Sequence, residues 1–211
     1  MMSFEDSLKF RHACKIFDDK LKISDENFSK IIEAGRLSPS SLGLEPWDFL
    51  LVKNTELKQR LKKECWDQAQ ITTASHLLVV FAKISDLYPG SEYIKDMVSR
   101  RTDKNSNQHA TYIEKIENFI RNNVGLSDLE IFAWSKAQTF LAVQNMMSMA
   151  AVLGIDSCPM EGWFSEKNLD AILTNDSQKR RIAVILSFGY RLNEQSLKIR
   201  RSVDEILKVI H

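Results

Sequence analysis

The sequence predicts an α+β fold, a mixed central sheet surrounded by helices with one long buried helix among them. Short apolar runs bounded by turn residues mark three or four strands, at 48–53, 76–82, 155–158 and 182–188. Helical spacing behind capping residues fills most of the chain between them. Strands and helices do not alternate strictly, which argues against a doubly wound parallel sheet.

Taken in order, Ser3 caps a short helix to about Phe10, and Ser24 caps a second through Ile31, Ile32 and Ala34 to about Leu37. Pro39 ends it. The run from Asp48 through Val52, held between Pro46 and Asn54, reads as a buried strand, and Leu57 and Leu61 set a helical spacing over 55–65. A second buried strand contains Leu77, Leu78, Val79, Val80 and Phe81. The polar stretch 91–123 is helical in pattern, with an apolar stripe at Tyr112, Ile113, Ile116, Phe119 and Ile120 that must cover something. Ser127 and Glu130 form a capping box that starts the long helix, and Gly154 stops it. Met146, Met147 and Met149 read as core filler on that helix. A short extended piece at 155–158, a Ser165-capped helix and the strand 182–188 complete the pattern.

With 211 residues and 44% apolar content, the chain can bury one substantial core, so a single domain over 1–211 is expected. Its 29 basic and 28 acidic residues leave a net charge of +1, which favours neither nucleic acid nor an anionic membrane. Three separated cysteines encode neither a disulfide framework nor a zinc ribbon, and a reducing cytoplasm fits them best. The first residues lack the basic and apolar regions of a secretory signal. The apolar stretch 132–153 contains Lys136, Gln138, Gln144 and Asn145, which are costly in lipid, so it reads as a buried helix. In a homodimer such a helix would cover both its own core and its partner. No dinucleotide-binding glycine pattern, phosphate loop or zinc-protease motif is present, so no metal is expected and a nicotinamide would visit rather than stay.

The chemistry-bearing residues lie at the two ends. Arg11-His12-Ala13-Cys14-Lys15 and Lys198-Ile199-Arg200-Arg201 are basic, and two Pro/Gly-shaped segments, Ser38 to Trp47 and Cys158 to Gly162, sit between them. Cations can grip a phosphate, and a Pro/Gly-shaped strand end can present N–H groups to a flat ligand. Taken alone, the K-x-R reads better as solvated charge and the Cys158 to Gly162 segment better as a strand followed by an ordinary turn. A thiol nucleophile at Cys14 with His12 as base is a further arrangement, but their spacing does not show that the side chains meet.

Five pieces in order resemble the flavin-dependent nitroreductases: R-H-x-x-K-x-F-D from Arg11, S-P-S-S with P-W after it, Trp66 to His76, Leu153 to Gly162, and K-x-R from Lys198. The resemblance implies a nitroreductase-like fold with the long helix at a dimer interface. It also implies FMN as cofactor and NADH or NADPH as electron donor. By the same resemblance, Arg11, Lys198 and Arg200 grip the FMN phosphate, with His12 and Ala13 in the same cofactor-binding motif. Lys15 lies near the N1 and O2 side of the ring, where reduction places negative charge. Pro39, Ser40 and Ser41 reach the flavin of the opposite subunit, with Gly43 where asparagine is frequent and Glu45 where glutamine is usual. Asp67 and Gln70 replace the frequent asparagine and lysine at the polar edge of the ring. Pro159, Met160, Glu161 and Gly162 approach the reactive atom, the main-chain N–H of Glu161 bonding N5. Lys15 and Glu161 are therefore the candidate catalytic residues.

The function so implied is ping-pong transfer of two electrons from NAD(P)H to nitroaromatics, quinones or similar flat acceptors. Alternatives are a flavin reductase, a family member specialised on one substrate, or a non-enzymatic helical dimer that binds an anionic partner.

Overall fold

In the computed structural model, which describes residues 2–210, seven of the nine helices among the described residues begin at a side chain that accepts a main-chain N–H. Ser3 starts α1 (Phe4–Phe10), Ser24 starts α2 (Asp25–Arg36), and Asn54 starts α3 (Thr55–Glu64). A one-turn helix, α4 (Gln70–Thr73), has no such cap. Ser91 and Ser106 start α5 (Glu92–Ser99) and α6 (Asn107–Phe119). Ser127 and Glu130 close a full capping box on α7 (Asp128–Val152), Ser165 starts α8 (Glu166–Leu173), and α9 (Val203–Ile206) lies in the C-terminal tail. Each cap satisfies an N–H that the first helical turn leaves without a partner.

The strands are β1 (Trp47–Val52), β2 (His76–Lys83), β3 (Asp156–Met160) and β4 (Arg180–Gly189), in the order β1-β2-β4-β3. All three pairings are antiparallel. This corrects the expected mixed sheet. The physical reason lies in the connections: α3 and α4 return the chain from Val52 to Leu77, its register partner, and α8 returns it from β3 to β4, so these neighbours run in opposite directions. The parallel contact recorded is an isolated bridge between Ala13 and Ser157.

Both faces of the sheet are covered. Leu77, Val79, Phe81 and Ile185 point to one side, where they pack with Leu61 of α3, Leu169 of α8 and Cys158. Leu78, Val80, Val184 and Leu186 point to the other, against Ile31 of α2 and Val143, Met146 and Met147 of α7. The alternation along β2 is the two-residue period of a strand, and burial on both faces explains why the run is apolar throughout. A third cluster answers what the stripe at 112–120 covers. Ile116 and Ile120 enclose Leu44, Ile84, Leu87, Ile94 and Met97.

Two further expectations are refined. The helical stretch 91–123 divides into two helices and a final π-helical turn, because the chain breaks after Ser99 and restarts at the Ser106 cap. Helix α7 is one-sided within this chain: Ile131, Ser135, Thr139, Ala142, Val143, Met146 and Ala150 are buried, whereas Leu129 and Leu141 are exposed. Met146 and Met147 are core residues, and Met149 is partly buried at the edge of that core. No helix among the described residues is long and apolar enough to cross a membrane.

Candidate functional site

The loop after α1 is stitched between β3 and the segment that follows β4. Cys14 N–H donates to the Ser157 carbonyl at 3.1 Å, Asp18 N–H donates to the Tyr190 carbonyl at 2.8 Å, and Phe17 bridges to Arg191. This stitching lays Arg11, His12 and Ala13 beside the returning tail. There they line one cavity of about 350 Å³ together with Lys198 and Arg200. No acidic side chain lines it. Lys198 is held below the ordinary lysine pKa, first by burial and then by repulsion from Arg11 and Arg200. Its Nζ donates to the Leu8 carbonyl. The chain thus gathers three permanent or near-permanent cations and supplies no counter-charge.

Behind the cavity lies Asp156, 3% exposed. Its Oδ2 accepts the main-chain N–H of Arg191 at 2.9 Å and the Nε–H of Arg191 at 3.0 Å. Its Oδ1 is 2.6 Å from Arg191 Nη2 and 3.5 Å from His12 Nδ1. These last two contacts are electrostatic rather than well-aligned hydrogen bonds, which leaves His12 Nδ1 and Asp156 Oδ1 formally without a hydrogen-bond partner, as is the buried Ser157 Oγ. Burial, with Arg191 second, lowers the His12 pKa, so the imidazole is neutral at pH 7. Cys14 is buried and its thiol is pushed up to about 11, chiefly by desolvation, so it is protonated and a poor nucleophile.

Lys15, Gln70 and Cys158 form a second group. Lys15 Nζ is 3.9 Å and Gln70 Nε2 is 3.7 Å from the Cys158 sulfur. Gln70 is buried and also donates to Gln68 Oε1 at 2.8 Å. Gln68 in turn donates to the Gly162 carbonyl at 3.4 Å. A Cβ on Gly162 would come within 2.2 Å of the exposed Trp66 ring, so a side chain there would have to displace the indole. Glu161 pairs with Lys136 of α7 at 2.8 Å. Met160 points into the core, and Pro159 is partly buried beside it. Asp67 is exposed and pairs with Lys62 at 3.5 Å.

The third segment stands apart from these groups in its contacts. Pro39 is exposed, Ser40 Oγ accepts the Glu45 N–H, and Ser41 N–H donates to Gln138 of α7 at 2.9 Å. Gly43 has φ +63°, and Arg101 donates to its carbonyl and to that of Leu42. A side chain there would collide with the guanidinium. The glycine therefore has a structural reason independent of any ligand. Four non-glycine residues with positive φ, Leu42, Glu45, Trp66 and Asp67, fall within the two segments 38–47 and 66–76. Such strain tends to gather at functional sites.

The structure adds six residues that the sequence did not single out for the site: Trp66, Gln68, Asp156, Cys158, Arg191 and Lys136. All but Arg191 and Lys136 lie inside the quoted motifs. Lys136 had a signal too, as a lone cation on an otherwise apolar helix, but its partner Glu161 is distant in sequence.

Residues 8–190 match the nitroreductase family. The chain belongs to that family. A Bacillus subtilis relative named "Putative NAD(P)H nitroreductase YfkO" is 39% identical over 211 residues, covering 96% of this chain and 95% of its own length. Among solved structures, the "putative nitroreductase ydfN" of Bacillus subtilis superposes with a TM-score of 0.87 at 19% identity, covering 98% of each chain. A putative nitroreductase of Exiguobacterium sibiricum, solved in complex with FMN, gives a TM-score of 0.81 at 20% identity, covering 100% of this chain and 98% of that one. At such identities the structural neighbours establish the nitroreductase fold.

Proposed function

We propose that this nitroreductase-family chain is an FMN-dependent oxidoreductase that takes electrons from NADH or NADPH. The observation that carries the reading is the cavity shared by Arg11, Lys198 and Arg200, which has three cations and no acid. A phosphate dianion fits that donor set: arginine forks hold two oxygens and lysine adds a point charge. The names of the 39%-identical relatives and the FMN held by the Exiguobacterium neighbour support the same reading.

When bound, FMN would accept two electrons from NAD(P)H and deliver them to a nitroaromatic, quinone or similar flat acceptor in alternating half-reactions. The chain's own residues bind and polarise. Lys15, on the loop that Ala13 and Cys14 fix to β3, would supply a cation to the ring of the bound flavin. The end of β3 offers the Glu161 main chain, with Gly162 allowing close approach. The Glu161 carboxylate is engaged by Lys136, which steadies that strand end. Initial-rate kinetics test the reaction. Parallel double-reciprocal lines for donor and acceptor support the ping-pong order, and intersecting lines contradict it. A flavin reductase would instead release reduced FMN into solution.

Lys15→Met should lower the midpoint potential of bound flavin and slow reduction by NAD(P)H more than it weakens binding of oxidised FMN. The lysine meets a neutral ring before reduction and an anionic one after, so its loss penalises mainly the reduced state. A redox titration with stopped-flow reduction checks this. An unchanged potential would leave ring electrostatics to the backbone around Glu161.

The working unit is proposed to be a homodimer of single-domain subunits in a reducing cytoplasm. Supporting this, the outer face of α7 exposes Leu129 and Leu141, and Ser40 and Ser41 do not line the basic cavity of their own chain. If those serines complete the partner's site, dilution into monomers should release FMN, and added FMN should favour the dimer by linkage. Sedimentation with flavin absorbance detection follows both, and a monomer that keeps FMN at full affinity would remove the serines from the site.

A further inference from the structure

A second basic cavity, of about 380 Å³, lies at the opposite end of α4 from the Gln70–Cys158 contact. Lys22 from the loop before α2, Lys53 from the end of β1 and Lys58 from α3 converge on it, with Thr55, Thr72 and His76. The His76 ring is fixed there by a 3.0 Å contact from Nδ1 to Ser75 Oγ and by stacking on Phe28, with ring centroids 4.0 Å apart.

These lysines differ from others on the surface in having no recorded acidic partner among the described residues. Lys9, Lys30 and Lys95 each pair with a glutamate three or four positions away on their own helix. Lys58 is partly buried, and the influences on it are desolvation and the neighbouring Lys22, both of which lower its pKa, with no acid compensating. At His76 burial acts first, then Lys58 and Lys53, all lowering its pKa; Asp25 is the one acid that opposes them, and it ranks behind them. Lys22 and Lys53 are exposed and Lys58 is partly buried, so their mutual repulsion is only partly screened by water, and no acidic side chain lines the cavity. Thr55 also lines the cavity and can add a neutral hydroxyl donor, whereas the Thr72 hydroxyl already donates to the Ala69 carbonyl.

We propose that this cavity binds a small phosphorylated molecule, its phosphate held among Lys22, Lys53 and Lys58 and its body against the Leu51 and Val52 wall. Three cations call for a ligand carrying about two negative charges, which a phosphate monoester supplies and a monocarboxylate does not. Lysine point charges select for charge rather than for the planar fork geometry that arginine imposes. The volume lies at the small end of the usual range for ligand sites, which suits a sugar-sized body rather than a dinucleotide. The residues are distinct from Arg11, Lys198 and Arg200, so this is a site additional to the proposed FMN phosphate clamp and does not rest on it.

The test is isothermal titration of protein saturated with FMN, so that the clamp is filled, using glucose 6-phosphate, inorganic phosphate and glucose as probes. The expected result is one saturable glucose 6-phosphate site per chain, tighter than for inorganic phosphate, and no heat from glucose. The double substitution Lys53→Gln, Lys58→Gln should weaken that binding by about tenfold or more while leaving FMN content unchanged. Absence of saturable binding, or an affinity unchanged in the double variant, would overturn the site. Equal affinity for the two phosphates would overturn the organic body and make the occupant free phosphate.

Discussion

Asp156→Ala should cost about 3–5 kcal/mol of unfolding free energy, the range for deleting one member of a buried ion pair. The carboxylate is 3% exposed and receives two hydrogen bonds from Arg191, whose Nη2 lies a further 2.6 Å from Oδ1. Arg191 also covers the Phe10 ring at 4.2 Å. Removing the carboxylate therefore strands a partly buried guanidinium and loosens the seam between the end of α1, β3 and the tail. That seam brings Arg11 towards Lys198 and Arg200, so flavin affinity should fall with stability. Urea unfolding of parent and variant measures the first effect. A loss below about 1 kcal/mol would place Asp156 among ordinary solvated pairs.

Arg11→Ala and Arg200→Ala should each weaken FMN binding by about ten- to a hundredfold, equivalent to losing one charge-assisted hydrogen-bonding partner of roughly 1.5–3 kcal/mol. Riboflavin has the same ring without the phosphate, so its affinity should scarcely change. The two arginines line one cavity and repel the same Lys198, so their effects should be coupled rather than additive. Fluorescence titration of both ligands against the single and double variants resolves this. Equal weakening for FMN and riboflavin would move the arginines away from the phosphate.

The strands were legible because β-branched and apolar runs in this chain sit between turn residues, and Leu77 to Phe81 alternates between two cores. Helix starts were legible for a local reason, since a serine cap acts within three residues of itself. Helix α4 was not, because one turn is too short to show a helical period and its first residue lacks a capping side chain. Sheet direction was missed because it depends on where α3, α4 and α8 return the chain, which no local pattern encodes. The break between α5 and α6 did leave a sign: Ser106 followed by a polar helical turn is a start signal inside what was read as one stretch.

The site divides the same way. The two basic ends could be named from the sequence, but their meeting depends on Asp156 holding Arg191, a contact across 35 positions. The Lys136–Glu161 pair joins a helix interior to a strand end and has no sequence spacing of its own. Gly43 was legible only as a departure from a pattern, whereas its positive φ and the Arg101 guanidinium beside it give the departure a cause. The basic cavity of Lys22, Lys53 and Lys58 draws on three separate elements and left no motif to read.

The most direct test of the proposed function is anaerobic reduction of the reconstituted protein. Purified chain is incubated with excess FMN, desalted, and mixed with NADH or NADPH while flavin absorbance is followed. One flavin per chain should be retained, bleached by the nicotinamide and restored when a nitroaromatic or quinone is added. Flavin that passes through desalting unbound, or that stays oxidised in the presence of both nicotinamides, would contradict the proposed function.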